Sequence, residues 1–225
     1  MLGLNSAAKH QLKKYTAEFF ATFGLLFFGT GTVVISQEFP GSTFPGTGAL
    51  AFGLIVTLMI YVFGKTSGAN MNPVVSIVFA LLKMHTYRDA VFYTVFQTAG
   101  ALCASFTLHF LFPKNKYLGG TMPAGTELQS FLLEILLTFL LLLIVLLLSE
   151  ASSKIKSSSA VLIGLVVGLE AYFAGPVSGA SMNPVRSMAP AIVSGQLQHL
   201  WIYVLAPFIG AFLAAFLWKS KLSSK

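Results

Sequence analysis

Charged residues are scarce in this sequence. Asp, Glu, Lys and Arg make up 9% of the 225 residues, whereas hydrophobic residues make up 56%. A soluble domain carries about 25% charged residues, so this chain has too few charges to cover a water-facing surface. Together with a mean hydropathy of +0.80, the composition excludes a soluble protein and indicates a polytopic membrane protein.

Residues that carry catalytic or metal-binding chemistry are also few. The single cysteine, Cys103, excludes a disulfide framework and any cysteine-based metal site. The four histidines are scattered, there is one aspartate (Asp89), and the Walker A and nucleophile-elbow patterns are absent. An intramembrane protease would need a Ser-His pair, two aspartates or a His-Glu-x-x-His set. We therefore expect no enzyme activity, no cofactor and no metal.

Six apolar runs are long enough, or nearly so, to cross a membrane. The second and fifth are short, and the first is not followed by a signal-peptide cleavage site. The sequence thus predicts six transmembrane helices in a single domain over residues 1–225. The six runs are approximately 15–36, 49–64, 88–112, 131–148, 160–175 and 199–218.

The basic residues are distributed unevenly across these runs. Eleven of the fourteen lie before the first run, after the sixth, or in the second–third and fourth–fifth connections, which six spans place on one face. By the positive-inside rule this face is cytoplasmic, and so are both termini. A cell membrane, plasma or inner, is the expected location, and the net charge of +7 implies no nucleic-acid partner. The eleven are Lys9, Lys13, Lys14, Lys65, Lys83, Arg88, Lys154, Lys156, Lys219, Lys221 and Lys225.

The chain contains an internal repeat. Residues 67–76 (SGANMNPVVS) match residues 178–187 (SGASMNPVRS) at an offset of 111, and one glutamate, Glu18 or Glu134, lies in the first span of each half. Each half has three spans, an odd number, so the halves enter the membrane in opposite senses. The pattern predicts an inverted repeat, with repeat one at about 12–112 and repeat two at about 128–219.

Each repeated segment, here called a box, contains Asn-Pro, and an apolar stretch too short to cross about 30 Å of hydrocarbon follows that pair. Pro73 and Pro184 suit the first turn of a helix, and Asn72 and Asn183 then occupy the N-cap positions. The pattern predicts two half-helices that enter from opposite faces and meet at their N-termini near the midplane. Irregular backbone at that depth requires a cavity. The two stretches are 74–82 and 185–193.

The chemistry of such a cavity is specific. Each asparagine carbonyl caps its own helix, which leaves the amide NH2 free to donate into the lumen. Two helix N-termini add roughly half an elementary positive charge each. Cations and protons meet a barrier, whereas a neutral hydroxylic molecule accepts hydrogen bonds. The boxes predict a pore for small neutral solutes.

The paired boxes, the two glutamates and Arg186, three residues after Asn183, resemble the aquaporins, or major intrinsic proteins, over nearly the whole chain. The resemblance implies six tilted helices plus two re-entrant half-helices, a homotetramer with a pore in each subunit, and passage of water and small neutral solutes. It also implies an outer selectivity filter. Matching the family's sequence motifs to this chain assigns the filter to Phe52, Ala171, Ala180 and Arg186.

Residues 174–184 (AGPVSGASMNP) are most similar to the nodulin-26-like branch, whose members pass water, glycerol, urea and neutral metalloid acids such as arsenous or boric acid. Two alanines in the filter imply an aperture that admits glycerol. In both boxes valine follows the proline instead of the usual alanine, so we expect Val74 and Val185 to narrow or reshape the pore midplane beside Pro73 and Pro184.

The remaining intramembrane acids have different expected roles. By the resemblance, Glu18 and Glu134 each accept N–H bonds from the re-entrant loop of their own repeat and support the pore. Glu170 has no partner that the sequence identifies, and it faces the pore mouth, a neighbouring subunit or a loop. A secondary transporter of a small neutral solute remains the alternative, because such proteins also use inverted repeats and broken helices.

Overall fold

The computed structural model describes residues 6–152 and 157–223. Within these ranges the chain forms eight α-helices and no strand. Six helices are long and apolar enough to span a membrane, which confirms the predicted number. Lys154, Lys156 and Lys225 of the topology argument lie outside the described residues. The helices are α1 (Ser6–Glu38), α2 (Thr47–Ser67), α3 (Pro73–Leu81), α4 (Tyr87–Leu111), α5 (Glu127–Ser149), α6 (Ser159–Ser178), α7 (Pro184–Ser194) and α8 (Leu200–Ser223).

The second and fifth spans are longer than predicted. Helix α2 has 21 residues and α6 has 20, so the prediction of two short spans was wrong. Hydropathy falls at polar or turn-forming residues such as Lys65 and Pro176, but each helix continues past them. The helices end where Gly68 and Gly179 adopt left-handed backbone conformations (φ 95° and 87°), the usual role of glycine after a helix.

Helix packing follows the repeat. Helix α1 packs on α4 and, in the second half, α5 packs on α8, while α2 and α6 join the halves. At the first crossing Gly100 lies against the carbonyl of Phe19, and at the second Gly210 lies against the carbonyl of Ile135. A Cβ at either glycine would collide with backbone, so small residues let these helices approach closely.

The two half-helices, α3 and α7, begin and end close to the predicted residues. Asn72 Oδ1 accepts a hydrogen bond from the N–H of Val74 (3.0 Å), and Asn183 Oδ1 accepts one from the N–H of Val185 (3.2 Å). The prolines occupy the first turn of each. The sequence therefore starts both half-helices by the same local chemistry, an asparagine cap followed by a residue that needs no N–H partner.

Candidate functional site

The backbone that leads into each half-helix is unwound in the same way. Ala69 and Met71 have positive φ angles (47° and 54°), as do Ala180 and Met182 (45° and 55°) in the second box. A left-handed conformation of a non-glycine residue costs on the order of 1–3 kcal/mol and persists only where surrounding contacts fix it. These contacts come from the two buried glutamates.

Glu18 binds the first unwound segment through four hydrogen bonds. Its Oε1 accepts from the hydroxyl of Ser67 (2.6 Å) and the N–H of Asn70 (2.9 Å). Its Oε2 accepts from the N–H of Met71 (2.9 Å) and from the amide of Gln97 on α4 (2.7 Å). Four donors satisfy a carboxylate that is fully buried, as a buried acid requires.

Glu134 repeats this arrangement in the second half. It accepts from the hydroxyl of Ser178 and the N–H groups of Ser181 and Met182, each at 2.8 Å. No counterpart of Gln97 bonds it, because the matching position in α8 is Pro207. The two glutamates thus make the loop contacts that the resemblance implied.

Two tyrosines complete these supports, and the sequence analysis missed them. The hydroxyl of Tyr93 donates to the carbonyl of Ser67 (2.8 Å), and that of Tyr203 donates to the carbonyl of Ser178 (2.7 Å). Each fixes the last residue of a long helix before the unwound segment. The two tyrosines are 110 residues apart, so the repeat itself carried a signal that could have identified them.

The two boxes meet through crossed hydrogen bonds of the capping asparagines. Asn72 Nδ2 donates to the carbonyl of Met182 (2.8 Å), and Asn183 Nδ2 donates to the carbonyl of Met71 (2.7 Å). One N–H of each amide therefore links the halves. The prediction that the whole NH2 group is free for the lumen was wrong, since each amide keeps one N–H for a solute.

The valines that follow the prolines are turned away from the lumen. Val74 and Val185 are each 1% exposed and belong to different apolar core clusters, which also contain Leu142 and Leu137, respectively. Neither is part of the cavity wall. We expected these side chains to narrow or reshape the midplane; they do not narrow it by lining the cavity, because the first turn of each half-helix directs them into the protein.

A cavity of about 910 Å³ is lined by residues of both boxes, among them Asn72 and Asn183. Lys65 and Ser149 line it on the side of the predicted cytoplasmic connections, whereas Pro73 and Pro184 are not in its wall. The structure thus brings the predicted filter set into one cavity wall. That set is Phe52, Ala171, Ala180 and Arg186.

Arg186 is held in this wall by two neighbours. Its Nη1 donates to the carbonyl of Gly119 (2.9 Å), and its guanidinium carbon lies 4.8 Å from the ring centroid of Phe52, a cation–π distance. The side chain is buried, with 5% of its surface exposed. Sequence analysis did not identify Gly119, because the α4–α5 connection has no counterpart in the repeat.

Charge in the cavity is of one sign. Among the described residues that line it, the charged ones are Lys65 and Arg186, near opposite ends. The asparagine caps between them mark two helix N-termini, each with a positive partial charge. The wall is therefore electropositive along its length, which disfavours cations and leaves neutral solutes unaffected.

Glu170 does not line this cavity. It borders a separate, mostly apolar crevice between α5 and α6, with Gln129 and Leu133 in the same wall. Its Oε2 atom is buried and has no hydrogen-bond partner. Of the three sites considered for it from sequence, the pore mouth gains no support, because Glu170 is absent from the wall of the main cavity.

Replacing either supporting glutamate by glutamine should reduce folded yield more than permeability per folded channel. A glutamine amide turns N–H donors toward the box N–H groups, and each unpaired buried donor costs about 1–3 kcal/mol. Glu18→Gln and Glu134→Gln are compared by size-exclusion yield and by solute flux in proteoliposomes. Glu127→Gln, at an exposed carboxylate bonded to His199, is the matched control. Normal yield with abolished flux would contradict a supporting role.

A half-buried histidine lies near the predicted cytoplasmic end of the cavity. The ring centroids of Phe79, which lines the cavity, and of Tyr93 lie 5.4 and 5.5 Å from that of His85. Its Nε2 atom has no hydrogen-bond partner. Burial, and then the charge of Lys14, lowers the pKa of His85, and the charge of Asp89 opposes this shift.

Acidification should therefore destabilise the protein through His85. Because the pKa is lower in the folded state, the unfolded chain binds the proton more readily. The stabilisation is complete above the ordinary pKa of about 6.5 and is lost as the pH falls through it. When the pH is lowered from about 7.5 to about 5.5, we expect the melting temperature of His85→Gln to fall less than that of the parent. The exposed His10→Gln is the control, and equal losses in all three proteins would refute the assignment.

Known proteins are similar to this chain over most of its length. The family model for major intrinsic proteins matches residues 5–218. Aquaporin NIP1-1 of Zea mays is 39% identical over 91% of this chain and 73% of its own length. Nodulin-26 of Glycine max is 37% identical over 92% of this chain and 77% of its own length.

The fold also matches a solved structure. The aquaglyceroporin from Plasmodium falciparum superposes with a TM-score of 0.84 at 22% identity, over 94% of this chain and 97% of that one. At 22% sequence identity, this match supports the fold alone. The family model and the plant relatives carry the assignment further: the chain belongs to the major intrinsic protein family, as an integral multi-pass membrane channel for water and small neutral solutes.

Proposed function

We propose that this protein is a passive channel wide enough for glycerol as well as water, and that it excludes ions and protons. The observation that carries the proposal is the single cavity of about 910 Å³, which joins the predicted filter residues to the asparagine pair. A pore of this kind needs no energy source, because a neutral solute moves through it down its own concentration gradient.

The outer end of the cavity is proposed to select solutes. Arg186 supplies hydrogen-bond donors, Phe52 supplies an aromatic wall, and the methyl groups of Ala171 and Ala180 leave space between them. A polyol can place its hydroxyls toward the guanidinium and its CH groups against the apolar side. Urea and neutral metalloid acids, such as arsenous and boric acid, have similar size and hydrogen-bonding capacity.

Exclusion of ions is proposed to depend on the electropositive wall. Arg186 and Lys65 stand near the two ends, and the half-helix N-termini meet between them. A cation that has lost water finds no carboxylate among the described residues of the wall. The crossed asparagine bonds hold each Nδ2 in place, so its remaining N–H can interrupt a proton-conducting chain of water.

The rest of the molecule is proposed to support this pore. Glu18 and Glu134 hold the unwound boxes, and Pro73 and Pro184 start the half-helices. We propose one domain over residues 1–225, a homotetramer with a pore in each subunit, and a plasma or inner membrane location with both termini in the cytoplasm. The uneven distribution of basic residues supports this orientation.

Stopped-flow light scattering on proteoliposomes tests the proposal. Vesicles that contain the protein should shrink and reswell faster than empty vesicles with glycerol, urea or boric acid outside. The solute flux should rise linearly with solute concentration, and adding ionophores should not change it. A flux that saturates and collapses when an ion gradient is dissipated would instead favour a secondary transporter. Water flux without flux of any of these solutes would contradict the wide filter.

A further inference from the structure

The connection between α4 and α5, residues 112–126, forms a strap over the outer end of the site; we call it the outer strap. The hydroxyl of Thr121 donates to the hydroxyl of Ser187 (2.7 Å) on α7, and the N–H of Ala124 donates to the carbonyl of Val177 (2.9 Å) on α6. With the bond from Arg186 to Gly119, these contacts place the strap directly against the second box.

A tight turn in the strap sets the position of the carbonyl that binds Arg186. Leu118 and Gly119 both have positive φ angles (49° and 68°), and the N–H of Gly120 donates to the carbonyl of Tyr117 (2.8 Å). Gly119 lies so close to α1 that a Cβ would come within 2.6 Å of the carbonyl oxygen of Thr30. The turn is left-handed and pressed against α1, so the Gly119 carbonyl has little freedom once the turn is formed.

One buried side chain ties this turn to the end of α1. The amide oxygen of Asn115 accepts from the N–H of Leu118 (2.8 Å), and its Nδ2 donates to Glu38 Oε1 (2.9 Å) and to Gln37 Oε1 (3.2 Å). Asn115 is 8% exposed. The amide is satisfied on both sides, with its oxygen toward a donor and its NH2 toward acceptors.

We infer that Asn115 is a positioning residue for the outer constriction. Through the Leu118–Gly119 turn it fixes the carbonyl that holds Arg186 against the wall, and it thereby sets the space left for a solute. The inference rests on the proposed function, because it assumes that Arg186 borders the narrowest part of the pore.

The consequence for selectivity has a direction. The two filter alanines leave open space in front of Arg186. A guanidinium released from Gly119 can extend into that space, where it obstructs a three-carbon polyol more than a water molecule. Loss of the Asn115 anchor should therefore lower the ratio of glycerol to water permeability.

Three variants test the anchor. Asn115→Ala removes all the hydrogen bonds of its side chain. Asn115→Asp keeps the acceptor for Leu118 but places a carboxylate beside Glu38. The double variant Asn115→Asp with Glu38→Gln restores the link with reversed polarity, because the new amide donates to the new carboxylate. Glu38→Gln alone, which keeps an acceptor oxygen, and Lys114→Ala, at an exposed neighbour in the strap, are the controls.

The readout is the ratio of glycerol to water permeability in the same proteoliposomes, which does not depend on how much protein folds. We expect both single Asn115 variants to lower the ratio by about threefold or more, a change that one hydrogen bond can produce. The double variant should return to the parent ratio, as should both controls. If Asn115 had a purely structural role, its variants would lower the folded yield but keep the parent ratio of glycerol to water permeability.

Two results would overturn the inference in different ways. If Asn115→Ala keeps the parent ratio while Arg186→Gln changes it, other contacts position Arg186 and the anchor is unimportant. If neither variant changes the ratio, the constriction does not lie at Arg186, and the proposed filter fails together with the inference.

Discussion

An Ala171→His channel is expected to lose most of its glycerol permeability while its water permeability changes little. Ala171 lines the same cavity wall as Phe52 and Arg186, so an imidazole at this position projects into the space that a polyol needs. Water is much smaller and also accepts hydrogen bonds from the same donors. A loss of about tenfold in glycerol flux corresponds to roughly 1.4 kcal/mol of added barrier.

A size series makes this test sharper than one substitution. Ala171→Gly, the parent, Ala171→Val and Ala171→His increase the side chain stepwise, and only the last adds hydrogen-bonding atoms. Glycerol permeability, measured by stopped-flow light scattering, should fall along the series, with water permeability nearly constant through valine. If valine and histidine leave glycerol flux at the parent level, the narrowest point lies elsewhere, and the pair Asn72 and Asn183 becomes the candidate.

The features that the sequence predicted correctly are those with local or repeated causes. The half-helices followed from an asparagine cap, a proline and a short apolar stretch, each a rule that operates within a few residues. Their opposite orientation followed from an odd number of spans per repeat. The repeat placed one acid, Glu18 or Glu134, in the first span of each half, and the family resemblance implied their contacts with the re-entrant loops.

The features that the sequence did not predict depend on how distant segments meet. The hydrogen bond from Asn72 to Met182 depends on how deeply the two half-helices enter the protein, and no local sequence rule predicts that depth. The burial of Val74 depends on the rotation of a half-helix about its axis. The Gly119 carbonyl lies in a connection without periodicity, and its approach to Arg186 is visible only once the chain is folded.

The α2 and α6 bounds show a different limit. Hydropathy declines before Lys65 and Gly175, but the helix stops only where a left-handed glycine, Gly68 or Gly179, ends it. Averaged hydropathy therefore does not predict the exact end of a helix when backbone conformation sets that end. The same glycines begin the unwound boxes, so an error of a few residues there obscures where the site starts.

Replacing Arg186 by a small neutral residue is expected to admit protons or small cations while glycerol still passes. A unit charge about 4 Å from a cation opposes it by about 4 kcal/mol at an effective dielectric constant of 20, which is nearly three orders of magnitude in rate. Arg186→Ala removes this charge and the partner of the Phe52 ring. The half-helix N-termini remain, with roughly half a charge each, so the leak should be partial.

The leak is measured as dissipation of a pH gradient in proteoliposomes that carry a trapped pH-sensitive dye, alongside glycerol flux in the same preparation. Lys65→Met is the matched control, because it removes the other charged side chain of the cavity wall but leaves the constriction intact. A leak in Arg186→Ala and not in Lys65→Met would locate the main ion barrier at the outer end. If Arg186→Ala stays as proton-tight as the parent, the barrier lies at the asparagine pair, where the two helix N-termini suffice without a full charge.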